Sequence, residues 1–74
     1  MPDFPSRTGK EVVKALEKLG YRQVRQDGSH VRLKCEGRTS LTVPVHHGKD
    51  LPKGTLNNIF KNSGFSEKEF RKEL

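Results

Sequence analysis

His30, Arg32 and Lys34 alternate with Val31, Leu33 and Cys35. In an extended strand that alternation puts an imidazole and two cations on one face and three apolar side chains on the other. An imidazole among fixed positive charges on a flat, wet surface suits cleavage of an RNA phosphodiester. The cations neutralise the phosphates, hold the strand and stabilise charge growing on the non-bridging oxygens. Imidazole ionises near neutral pH, so it can take the proton from a 2′-hydroxyl or return one to the leaving 5′-oxygen. Acid–base help of this kind is worth roughly 10²–10⁴-fold, which describes a modest catalyst. Arg25, in the preceding segment, is expected to join the row by sharing parity with Gln23. The plainer reading is that His30 merely begins a strand on a polar face, because exposed histidines are common.

Other reactive side chains form no comparable group. His46 and His47 are adjacent and point to opposite sides of an extended chain, and with Cys35 they lack the spacing of a metal site. No metal and no cofactor is expected. Cys35 shares parity with Val31 and Leu33 and reads as a small core residue rather than a nucleophile. Lys53-Gly54 precedes a helix start, where free amides can hold a phosphate, although a plain glycine-containing helix start explains them equally well. There is no glycine-rich nucleotide loop and no pair of carboxylates placed for acid–base work.

The elements that must present His30 follow from the spacing of apolar residues. Thr8-Gly9-Lys10-Glu11 is a capping box, and Val12, Val13, Leu16 and Leu19 form one stripe of a helix over 9–19, closed by Gly20. A strand over 21–26, a turn at Asp27-Gly28-Ser29, a strand over 30–35, a turn at 36–38 and a strand over 39–46 follow. Pro44 lacks an amide, so that third strand lies at an edge or ends there. Leu56, Ile59 and Phe60 mark a second helix ending near Ser63. Ser66-Glu67-Lys68-Glu69 is a second capping box, and it opens a short last helix with Phe70 and Leu74 on its apolar side. Residues 1–7, with two prolines and no periodicity, read as a loose lead-in. The class is α+β: a three-stranded antiparallel sheet with helices on one face, the other face left to water.

Seventy-four residues suffice for one domain, taken as 1–74, and leave no volume for a deep enclosed active site. With 30% hydrophobic residues and no Trp, a core of this size seldom supplies more than roughly 3–5 kcal/mol, so the fold is expected to be marginal or helped by a partner. Fifteen Lys and Arg against nine Asp and Glu give a net charge of +6, which favours a polyanion or an acidic protein as partner. No apolar run approaches the roughly 18 residues that span a bilayer, and the first ten residues do not read as a secretory signal. One cysteine fits a reducing compartment, so a cytoplasmic location is expected.

The order of short motifs is more specific than the composition. Gly20-Tyr21, Arg25-Gln26-Asp27-Gly28-Ser29-His30, Thr42-Val43-Pro44-Val45-His46, Leu51-Pro52-Lys53-Gly54-Thr55-Leu56 with Ile59, and Gly64-Phe65-Ser66 together resemble the HicA family. These are small mRNA interferase toxins of HicAB toxin–antitoxin pairs, and the resemblance covers about residues 8–72. It implies a double-stranded-RNA-binding-like α-β-β-β-α fold. It also implies that the histidine of Gly-Ser-His, here His30, is catalytic in metal-independent cleavage of mRNA, inhibiting growth. RNA would then be held by Arg25, Gly28, Ser29, Arg32, Lys34 and Lys53, and a HicB-like antitoxin would cover this face. Family members often carry a basic residue just before Gly-Ser-His, where this chain has Asp27. Two other functions fit the same charge pattern: an RNA-binding module without turnover, and a domain whose basic face only docks an acidic protein.

Overall fold

In the computed structural model, which describes residues 2–74, the order is α1 (Gly9–Lys18), β1 (Arg22–Asp27), β2 (His30–Lys34), β3 (Leu41–Pro44), α2 (Lys53–Ser63) and α3 (Glu67–Glu73). The strands form one antiparallel sheet in the order β1-β2-β3, with β2 central. The α+β reading and its element order hold.

Local chemistry sets the ends of α1. The Thr8 hydroxyl accepts from the Glu11 amide at 3.2 Å, and the Glu11 carboxylate accepts from the Thr8 amide at 2.9 Å. Hydrogen bonding by Thr8, its backbone amide first and its hydroxyl second, holds the Glu11 carboxyl below the usual carboxylate range. At the other end Gly20, with φ 112°, donates to Glu17 O, and Tyr21 N donates to Leu16 O. The first bond satisfies a carbonyl near the helix end, and the second gives Leu16 O a donor in addition to Leu19 N. The Ser66–Glu69 box repeats the N-terminal device at α3 and lowers the Glu69 carboxyl for the same reason.

The core lies between the sheet and the helices. Val31, Leu33, Leu41 and Val43 point to one side and are buried with Val12, Val13 and Leu16 of α1, Leu56 and Ile59 of α2 and Phe70 of α3. Cys35 packs at the margin of this core, half-buried. Gly9 is buried where α1 crosses the end of β3. A Cβ there would fall against the Pro44 carbonyl and 2.9 Å from Val45 Cα, so only glycine permits that approach.

Three expectations need correction. Residues 2–7 are not a loose lead-in. Phe4 is 5% exposed, its ring 5.0 Å from that of Phe60 and 5.1 Å from that of Phe70. Arg7 Nε donates to Leu74 O, Leu51 N donates to Arg7 O, and Arg71 lies over the Phe4 ring. A single aromatic without periodic neighbours is enough to dock this segment, because it buries a whole ring. The strand expected over 39–46 is shorter, Leu41–Pro44, since Pro44 cannot donate to the ladder. The first strand begins at Arg22, because Tyr21 turns inward. Tyr21 is 3% exposed, its hydroxyl donates to Thr39 O at 2.8 Å, and burial pushes its pKa up.

Candidate nucleic-acid interface

The uncovered face of the sheet is written by its register. Residues directly opposite across an antiparallel pair share a face. His30 pairs with Asp27 on β1 and Pro44 on β3; Arg32 pairs with Arg25 and Thr42; Lys34 pairs with Arg22. The buried alternates Val31 and Leu33 point to the helices, so His30, Arg32 and Lys34 point away from them, and all three are exposed. The expected row on β2 is therefore present.

Arg25 joins it, but not by the expected parity. Gln23 pairs with Leu33, and its side-chain amide reaches Glu17 of α1 at 3.5 Å, so Gln23 belongs to the helix side. The register shifts between Gln23 and Arg25. That bulge leaves Val24 as the extra residue, 42% exposed, and reverses the alternation. The bulge puts Arg25 opposite Arg32. It also places Arg22 opposite Lys34, a cation of this face that sequence parity missed. A lone valine among polar residues in an otherwise unpatterned strand was the available sign of the bulge.

The Asp27–His30 hairpin closes through Gly28 and Ser29. Gly28 has φ 57°, and no non-glycine described residue has a positive φ, the pattern of a two-residue turn with glycine first. The Ser29 carbonyl accepts from Val45 N at 2.6 Å, which ties this turn to the end of β3. His30 thus sits at the turn end of the central strand, braced on both sides at the backbone while its ring is free.

The charges of the face are unbalanced. Arg22, Arg25, Arg32 and Lys34 project from it, and Asp27 is the one acid that the three strands place beside them. Two arginines directly opposite one another weaken a strand pair, so the arrangement favours an anion lying between them. Asp27 binds Arg25, with Nε–Oδ2 at 3.0 Å, and both side chains are more than half exposed. Such a surface carries cations at strand spacing beside one imidazole, which is what binding a phosphate chain and moving a proton on it require.

Lys53 is not brought to this row. It opens α2, in the layer on the other side of the sheet, and its Nζ pairs with Asp3 at 3.1 Å. His46 and His47 line a groove of about 290 Å³ with Thr8, Lys10, Val45 and Gly48, at the junction of α1 and the loop after β3. Among the described residues no cluster of three or more His, Cys, Asp or Glu is placed to hold a metal. No helix of the described residues is long and apolar enough to cross a membrane.

No curated protein matches the chain closely enough to count as a relative. A family model does match, that of the HicA toxin of bacterial toxin–antitoxin systems, over residues 9–65. That span runs from the glycine under β3 through the whole sheet and α2 to Phe65, and so contains every residue of the open face. On that match the chain belongs to the HicA toxin family, whose members are toxins that act with an antitoxin partner.

Proposed function

We propose that this protein is an endoribonuclease toxin that cleaves mRNA with His30 as its catalytic residue and needs no metal ion. The observation that carries this reading is the position of His30, exposed at the turn end of the central strand on the face from which Arg22, Arg25, Arg32 and Lys34 project. The cations hold successive phosphates of a single strand and offset charge on the non-bridging oxygens. The His30 imidazole takes the proton of a ribose 2′-hydroxyl as that oxygen forms its bond to phosphorus. The bond from phosphorus to the 5′-oxygen breaks, and that oxygen takes a proton from water and leaves as a 5′-hydroxyl. The other product ends in a 2′,3′-cyclic phosphate. Gly28 and Ser29 hold the chain near His30 by keeping the turn tight.

The family membership supports the toxin role and an antitoxin; a HicB-like antitoxin that neutralises by covering the cationic face is the finer form of that reading. The described residues act as one unit, since Phe4 and Phe70, outside the matched span, complete the core with Phe60; the single cysteine, Cys35, favours a reducing compartment, the cytoplasm. The test is expression of wild type and His30→Ala in a sensitive cell, with transcript integrity and growth as readouts. Wild type is expected to degrade transcripts and arrest growth, and His30→Ala to do neither while remaining folded. Degradation by His30→Ala at the wild-type rate contradicts the assignment. The competing function, binding without turnover, predicts salt-sensitive RNA affinity with transcripts intact for both proteins.

A further inference from the structure

The Arg25 guanidinium, directly opposite Arg32, is already occupied: its Nε lies 3.0 Å from one Asp27 carboxylate oxygen and 3.1 Å from the other. Asp27 is also the cross-strand neighbour of His30, so its charge falls at the end of the row where the proposed chemistry takes place. Its side chain makes no other hydrogen bond or ion pair among the described residues, caps no helix, and is 56% exposed. An ion pair between two groups this wet adds little to folding. Its consequence is electrostatic instead. Of four cations on the face, one is neutralised until its acid partner is displaced.

We propose that Asp27 is an intramolecular competitor for phosphate, holding Arg25 in a pair that RNA must exchange, and that it thereby sets the RNA affinity of the open face. This deepens the proposed function and rests on its RNA-binding part. A phosphate arriving between Arg25 and Arg32 takes over the guanidinium, and the Asp27 carboxylate swings into water. The exchange makes Asp27 a specificity residue for phosphate spacing. Only an RNA that sets a phosphate at the Arg25–Arg32 pair recovers the masked charge, whereas one that contacts Arg22 and Lys34 alone does not.

The test uses the full chain carrying His30→Ala, so that RNA is bound and not consumed, with a short single-stranded RNA titrated over a range of salt. Asp27→Asn is expected to tighten binding about 2–5-fold at low salt, the size of one exposed ion pair. The dependence of log K on log salt is expected to keep nearly the same slope, because the same phosphate sits at Arg25 in both proteins once Asp27 has been displaced. Adding Arg25→Ala is expected to remove most of the effect of Asp27→Asn, which a general change in net charge would not do. Equal or weaker binding by Asp27→Asn overturns the inference and leaves the RNA-binding reading intact, and so does an effect that persists without Arg25. Absence of RNA binding by every variant overturns both. Active cleavage by His30→Ala with the Asp27 effect present overturns only the catalytic role of His30.

Discussion

Strand β2 presents two faces built from alternating residues of one five-residue segment, and they are held to different standards. Val31 and Leu33 are buried with residues of all three helices, whereas His30, Arg32 and Lys34 are exposed on the uncovered face. On the covered face each side chain is fixed by its neighbours, and removing one leaves a cavity. On the open face no packing depends on the side chains, so their identities are free to answer to a ligand. Two opposed arginines on a small basic domain are a poor choice for stability and a good one for binding phosphate. The contrast separates what changes stability from what changes function.

The sharpest way to break the contrast is on the covered side. Phe70 is fully buried and packs against both Phe4 and Phe60. Phe70→Ala is expected to cost about 3–5 kcal/mol, comparable with all that a core of this size supplies. Thermal denaturation followed by circular dichroism is then expected to show no cooperative transition. A melting temperature close to wild type would mean that the aromatic corner is not part of the core.

On the open side the double substitution Arg32→Ala with Lys34→Ala is expected to leave stability within about 0.5 kcal/mol of wild type. RNA affinity is expected to fall about tenfold, and the salt dependence to become shallower by about 1.4, two single-strand phosphate contacts. A large loss of stability here would erase the distinction between the faces.

The smallest effects belong to the helix ends. Thr8→Ala and Ser66→Ala are each expected to cost about 1 kcal/mol, read as a lower denaturant midpoint. Their carboxylate partners add a pH dependence. Glu11 and Glu69 are held below the ordinary carboxylate range by hydrogen bonds present only in the folded chain. Their contribution is complete above the unfolded pKa and is lost as pH falls through the lower folded values. The melting temperature is expected to drop on acidification, and Glu11→Gln with Glu69→Gln to flatten that drop.

Much of this was legible in the sequence where the physics is local. Both capping boxes, the glycine after α1 and the alternation of β2 depend on residues within a few positions of one another, and the structure keeps them. The face carrying His30 was readable for that reason. What needed the structure was non-local. The bulge at Val24 depends on how β1 meets β2, and it decides that Gln23 faces the helices while Arg22 faces water. Phe4 has no periodic neighbours to announce it, and its burial depends on Phe60 and Phe70 far along the chain. Lys53 shows the same limit. Its sequence context suits phosphate, yet α2 lies on the opposite side of the sheet from His30 and Lys53 pairs with Asp3.

Purified protein and its His30→Ala variant, incubated with a single-stranded RNA under metal chelation, give the most direct measurement: the rate of strand scission and the chemistry of the new ends. Wild-type scission leaving 2′,3′-cyclic phosphate and 5′-hydroxyl ends, slowed roughly 10²-fold or more in the variant, is the predicted result. Equal rates for the two proteins, or scission that stops for both once metal is removed, would contradict the account.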